Sequence, residues 1–259
     1  IGGYIARTLP LCLAIFLLVY KDIPHYKISL VFYMLLFILM FVLIFLSGER
    51  AAMGIGVVSM TIIFFLLERF KKIKLIAIIL ITILLGITIS YNENIKVRII
   101  DHTYNQLGIE KKRLNLISPV HEQFYLESFN MFKSSLFIGK GPNTFRKYCD
   151  DSDYNIGIYC STHPHSFYFQ LLGETGLFGF MFLFIFFIIT SWIILKQSIY
   201  KYLRVGKGIS NYLIILYSSI FGLLMPIFPS LNFFNSWNSI TLFLLLGFIL
   251  AEHYKIKKT

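Results

Sequence analysis

Acidic side chains are scarce: 13 Asp and Glu stand against 24 Lys and Arg in 259 residues, and charged residues of both signs make up only 14% of the chain. That shortage argues against a water-soluble fold, whose exterior is where charge collects. Cysteine is down to three residues, and His163 and His165 have no third ligand at metal spacing, so no metal is expected. Internal repeats are missing, which weighs against a transporter built from duplicated halves. Also missing, before an apolar stretch that opens at Ile1, are a basic leader and a small-residue cleavage pattern. A signal peptide is therefore not expected, and a truncated parent protein is.

What is plentiful is apolar: 57% hydrophobic residues, 17% aromatic residues and a mean hydropathy of +0.72. These collect into seven runs, at about 4–20, 28–47, 51–67, 73–91, 167–195, 209–228 and 237–251. Each is about long enough to cross a hydrocarbon core of roughly 30 Å, where only a helix satisfies its own backbone. The expected fold is an all-α integral membrane protein: about seven transmembrane helices, four in 1–91 and three in 165–259, separated by one long loop over 92–164. Tyr33, Tyr91, Trp192, Tyr217 and Trp237 suit interfacial anchoring, and Pro226 and Pro229 a bend or end of the sixth span.

Basic residues set the orientation, since Lys and Arg of short loops stay cytoplasmic. Lys21 and Lys27, then Arg69, Lys71, Lys72 and Lys74, then Lys196, Lys201, Arg204 and Lys207, and finally Lys255, Lys257 and Lys258 all fall on one set of alternate ends. The carboxyl end is expected inside and the 92–164 loop outside. The net charge of +11 is thus a topology signal that suits anionic headgroups, and no nucleic acid is expected as a partner.

Within the loop, Ser118-Pro119 is a helix start, a capping hydroxyl followed by a preset φ. Tyr125, Phe129, Phe132 and Leu136 then recur at helical spacing, which predicts an amphipathic helix with an aromatic face along the membrane surface. Gly139-Lys-Gly141-Pro142 ends it; lacking a preceding strand, this is a turn rather than a phosphate loop. Cys12, inside a span, is expected to be a small buried hydrophobe. Cys149 and Cys160 flank an acidic stretch on the outer, oxidising side, where a disulfide is expected, two free thiols being the alternative.

Ser161-Thr-His163-Pro-His165-Ser166 leads into the fifth span. Pro164 near a helix start would put His165 in the first turn, where the dipole disfavours an imidazolium and free amides can hold phosphate. The plain alternative is a pair of interfacial histidines. The continuation matters more: Cys160-Ser-Thr-His-Pro-His165-Ser-Phe-Tyr-Phe-Gln-Leu-Leu-Gly-Glu174-Thr-Gly-Leu-Phe-Gly179 resembles the signature of the O-antigen ligase and polymerase family, a His and then Glu-x-Gly-Leu-x-Gly entering a membrane helix. Upstream, Tyr125 to Phe145 is similar to that family's aromatic helix and Gly-x-Gly-Pro turn. Ser47-Gly-Glu-Arg50 resembles the Ser-x-x-Arg that opens one of its spans.

The resemblance implies a GT-C-like bacterial inner-membrane enzyme with an outward-facing site. Its activity would be transfer of a glycan from an undecaprenyl diphosphate donor to lipid A core or a growing glycan, with inversion, without a metal and without a cofactor. Such a reaction needs a base and cations for the departing diphosphate. His165 suits the base, with His163 in support. Arg50, His121 and Arg146 suit the diphosphate, Arg7 and Arg113 being further cations. Arg50 could instead snorkel or pair with Glu49. Glu174 could orient His165, hold Arg50 or pair with another base. Two positions depart from the pattern: Ser166 where Asn is common, and His121 where Arg is usual. The residue set needs an imidazole and a guanidinium to meet at the outer leaflet. A flippase of an anionic lipid-linked substrate is the competing function, and a non-catalytic scaffold a third.

Overall fold

A computed structural model describes residues 1–19, 26–68, 70–107 and 117–258. Lys21, Arg69 and Arg113 lie outside these. Among the described residues there are helices and turns but no strand. Each of the seven apolar runs is a helix: α1 (Gly2–Val19), α2 (Tyr26–Leu46), α3 (Arg50–Leu66) and α4 (Lys71–Tyr91), and, later in the chain, Phe167–Leu203, Asn211–Leu224 and Ser236–Lys258. Five are long and apolar enough to cross a membrane by length and composition. Arg50–Leu66 and Asn211–Leu224 are apolar but shorter. Between them lie the short α5 (Glu93–Lys96), a π-helical turn (Val97–Asp101), α6 (His102–Leu107), α7 (Pro119–Ser134) and α8 (Phe145–Tyr148). The last three long helices are accordingly α9, α10 and α11.

The chain divides into two compact units, each considered by itself. The first comprises 1–103, 190–223 and 243–259. In it α1 packs on α2 and α3, and α2 also on α4. Helix α3 buries Ala52, Ile55, Ser59, Ile63 and Leu66, a three-to-four spacing that makes one face. Helix α4 buries only Ala77 and leaves Leu75, Ile76, Ile79, Ile83 and Ile87 about half exposed. A helix apolar all round and packed on one narrow side has the surface that lipid, not water, solvates.

Charge is sorted along this unit. At one end the Lys74 ammonium donates to the Phe64 and Leu67 carbonyls, that of Lys201 donates to the Phe65 carbonyl, and Arg204 lies 3.7 Å from Glu68. At the other end of α3 and α4 stand Gly48, Arg50, Asn94 and Arg98. The start of the long connection is therefore not loop: Asn92 ends α4, its side chain caps Ile95, and helical turns run on to Leu107.

The second unit comprises 104–189 and 224–242. Ser118 caps α7 as expected, its hydroxyl accepting from the His121 amide at 3.3 Å. The buried stripe differs from the expected one. Phe124, Tyr125, Ser128 and Met131 face inward, Phe129 is partly exposed, and Leu136 lies beyond the helix end at Ser134. Phe124 and Met131 pack with Phe145 and Cys149 into a small core, so α7 is gripped by the segment that follows it and its aromatics are divided between two faces.

Candidate active site

Two glycine-rich motifs, 35 residues apart in sequence, are one structure. The turn after α7 runs alongside α9 where that helix is broken at Gly176 (φ 65°, ψ −160°). Leu177 N donates to Leu136 O at 2.8 Å, Lys140 N to Gly173 O at 3.1 Å and Gly141 N to Glu174 O at 2.8 Å. Gly139 (φ +66°) and Gly176 both adopt left-handed backbone, and a Cβ on either would run into the other segment's backbone. Only glycine meets both demands.

Glu174 fastens this crossing. Its carboxylate, fully buried, accepts from Phe145 N (2.8 Å), Asn143 N (3.0 Å) and Gln170 Nε2 (3.1 Å). Gln170 also donates to Asn232 Oδ1 (2.8 Å) and accepts from Phe233 N (2.8 Å), and Asn232 donates to Asn143 Oδ1 (3.1 Å). The side-chain hydrogen bonds of Glu174 thus hold the turn that leads to Arg146, not His165, the orienting role the sequence suggested. Gln170 and Asn232 were missed; a glutamine four residues before Glu174 was the available signal.

His165 also departs from expectation. It is not in the first turn of α9 but two residues ahead of it, in left-handed backbone (φ 55°). Ser166 does the capping, its hydroxyl facing Phe169 N at 3.5 Å. Phe167 N is taken by Ser230 Oγ at 2.7 Å, so these first-turn amides are occupied and do not form the phosphate cradle anticipated for them. The unusual backbone is pinned from both sides, because His165 O accepts from Ser230 N (2.9 Å) and Tyr125 OH (3.4 Å). The phenol of Tyr125 stacks on Phe169 at 4.6 Å, and its burial raises its pKa to about 12, so it stays a donor.

Around the His165 ring stand His163 (centroids 4.2 Å apart), His121 (5.2 Å) and Phe124 (5.8 Å). Ser161 Oγ lies 3.3 Å from His165 Nε2, and Thr162 Oγ1 3.0 Å from His163 Nδ1. Burial lowers the pKa of His165; burial first, and then the cost of a second positive charge beside His165, Arg146 and His121, lowers that of His163 to about 4. Desolvation, rather than a helix dipole, keeps both rings neutral. Arg146, in α8, is exposed. Cys149 and Cys160 are joined with Cα atoms 5.3 Å apart, which ties the residue before Ser161 to the end of α8.

Arg50 belongs to the first unit and opens α3. It donates to Thr103 Oγ1 at 3.5 Å and, with Gly48, Asn94, Arg98 and His102, lines a cavity of about 560 Å³. Arg98 lies over Gly48, which leaves the room by having no Cβ and also adopts a φ of +66°. Among the described residues no carboxylate pairs with Arg50 or Arg98. Glu49 instead accepts from the Gly2 and Gly3 amides at 3.1 and 2.8 Å, so the expected alternative of a Glu49–Arg50 pair is absent. Arg7 is buried, with Glu49 among its charged neighbours. Arg98 and His102 lie in a hydrophilic stretch that carries no helix signal of its own; their i, i+4 spacing on continued helix is what brings them to Arg50's pocket.

A family model described as O-antigen ligase matches residues 35–184, more than half of the chain. No curated protein and no solved structure matches it.

Proposed function

From the chain's membership of the O-antigen ligase family, which gives it a glycan-transfer role in surface polysaccharide biosynthesis, we propose the reaction and its residues. The donor is a glycan on undecaprenyl diphosphate, and the acceptor is a hydroxyl of lipid A core or of a growing glycan on the periplasmic face of the inner membrane. The acceptor oxygen attacks the anomeric carbon as the carbon–oxygen bond to the diphosphate breaks, inverting that centre. The acceptor proton passes to His165, and the undecaprenyl diphosphate leaves with the bonding electrons.

One observation carries this assignment: His165 is held in left-handed backbone by Ser230 and Tyr125 with its ring desolvated among His163, His121 and Phe124. Non-glycine residues occupy such backbone at a cost and where the surroundings enforce it, as functional sites do. A neutral imidazole is the form that accepts a proton. His121, beside His165 in place of the family's arginine, and exposed Arg146 offer positive charge to the diphosphate. Arg50, joined by Arg98 and His102, offers unspent guanidinium charge suited to phosphate oxygens. Charge neutralisation by side-chain cations of this kind requires no metal. Ser161 fixes one ring nitrogen of His165, leaving the other to the acceptor, and His163 fills the space behind it.

The test is complementation. Deleting the parent gene should shorten or abolish surface polysaccharide, and a His165→Ala copy present at normal membrane level should not restore it. Full restoration by that copy would falsify the assignment of the base.

A further inference from the structure

The turn between α7 and Gly139 exposes three large hydrophobic side chains in succession, Leu136 at 49%, Phe137 at 61% and Ile138 at 73%. Within the second unit they are not scattered surface residues, because the backbone of this turn is hydrogen-bonded to α9 just past its break. Leu177 N donates to Leu136 O and Phe178 N to Phe137 O, at 2.8 and 3.4 Å. The turn is therefore level with Leu177 and Phe178, the residues at which α9 sets out as an apolar helix long enough to span a membrane. Phe178 and Phe182 are 70% and 61% exposed, and the Phe137 and Phe178 rings lie 6.2 Å apart. The apolar patch on the turn and the apolar surface of α9 are continuous.

We propose that Leu136, Phe137 and Ile138 insert into the hydrocarbon of the bilayer leaflet that surrounds this end of α9, as an anchor separate from any membrane span. Lipid is the occupant that continuity selects: whatever solvates Phe178 and Phe182 also meets Phe137. The flanking cations agree with that depth. Lys133 on α7 is exposed with its ammonium 4.9 Å from the Phe129 ring, and the Lys140 ammonium sits 5.2 Å from the Tyr154 ring. A lysine on either side of an apolar tip lets the tip sink while the ammonium groups stay with headgroup phosphates. Immersing three such side chains removes a large apolar area from water, which holds the turn at a fixed depth.

The anchor also explains the stiffness behind it. Gly139 is locked on the backbone of Glu174, and the Glu174 carboxylate holds the amides of Asn143 and Phe145. Immersion of the tip is thereby transmitted to Arg146, fixing the height of this cation above the hydrocarbon. A lipid-borne phosphate sits at a set height, so an arginine meant to meet it gains from being referenced to the same surface. This last consequence rests on the proposed function; the anchor itself does not.

Depth can be read without any transfer assay. The full chain carrying Cys12→Ser and Phe137→Cys is spin-labelled, placed in lipid nanodiscs, and its power saturation compared in oxygen and in a water-soluble nickel chelate. A label at Ile138→Cys guards against a local artefact, with labels at Phe182→Cys and Asp153→Cys as lipid and water references. The expected result is an oxygen-to-nickel accessibility ratio at 137 and 138 several-fold above that at 153 and close to that at 182. A ratio like that of 153 at both positions overturns the proposal. So does exclusion of both reagents with dipolar broadening between labels, which would make the patch a contact between two copies. Either result leaves the assignment of His165 standing, and failure of the His165→Ala complementation test leaves the anchor standing.

Discussion

In the pocket at Arg50 the guanidinium makes one long hydrogen bond, 3.5 Å to Thr103, and Arg98 lies over a glycine with no carboxylate on it among the described residues. Around Glu174, by contrast, every oxygen of the carboxylate is spent, and Gln170, Asn232 and Asn143 close a network behind it. The first region keeps its charge available, and the second uses its polar atoms to fix a backbone. A group that must bind an anion has to arrive unpaired, because a partner already in place would compete with the ligand. A turn that carries a cation to a set position needs its backbone settled beforehand. Under the proposed function, the difference between the two regions is a division between binding and positioning, and it can be broken experimentally.

The largest effect belongs to His165. With His165→Ala, transfer from a lipid-linked donor by the full-length protein should fall by about 10²–10⁴-fold, the usual contribution of a positioned acid or base. The Tm should change little, since the side chain's one hydrogen bond among the described residues is to Ser161. Next is Glu174, whose removal should act through structure. Glu174→Ala leaves the Asn143 and Phe145 amides without their acceptor, at about 4 kcal/mol for two buried donors left unsatisfied. A large drop in Tm in detergent is expected, with Glu174→Gln recovering part of it. If Glu174→Ala instead lost transfer with no loss of stability, the positioning assignment would be wrong.

Acid should separate the regions further. His163 titrates near 4 when folded and near 6.5 when unfolded. Between those values the unfolded chain binds a proton that the folded one does not. Its contribution to stability is complete above about 6.5 and is lost as pH falls toward 4, amounting to about 3 kcal/mol. The lowered pKa of His165 shifts the acid limb of kcat/KM in the same direction, below the ordinary histidine range. A His163→Leu variant should flatten the stability profile measured by thermal shift across this window and leave the activity limb in place. Smaller still is Arg50→Lys, which keeps the charge and loses the two-pronged geometry. KM for the lipid donor should rise about tenfold, equivalent to about 1.4 kcal/mol, with kcat nearly unchanged. A fall in kcat without a rise in KM would place Arg50 outside ground-state binding.

Much of this was legible in the sequence, and unevenly. The seven apolar runs became helices because local hydrophobicity alone decides that in lipid. Ser118 at the start of α7 and the Gly139-to-Pro142 turn were legible because caps and left-handed turns have residue-specific chemistry. What escaped depends on distant partners. The break at Gly176 is made by Leu136 and Phe137, which supply acceptors from another segment. The placement of His165 ahead of its helix depends on Ser230, sixty-five positions later, which occupies the Phe167 amide. Tyr125 turned inward because Phe169 is there to stack on it, a pairing no periodicity reveals. Arg98 was hidden for a simpler reason: a long hydrophilic connection was read as loop, whereas helical turns continue past Asn92.

Ser161 gives the smallest effect and the finest division between positioning and catalysis. Its hydroxyl is 3.3 Å from His165 Nε2, and whichever partner donates, the contact selects which ring nitrogen carries the proton at rest. With Nε2–H donating to Ser161, Nδ1 is the free lone pair. Ser161→Ala removes one neutral hydrogen bond worth about 1 kcal/mol, so kcat should fall about fivefold, while KM for the donor stays put because Ser161 touches no phosphate ligand. Ser161→Thr, which restores a hydroxyl at the same carbon, should recover most of the rate. Equal rates for Ser161→Ala and the unaltered protein would mean that the backbone clamp of Ser230 and Tyr125 already fixes the ring, and that the hydroxyl adds nothing to it.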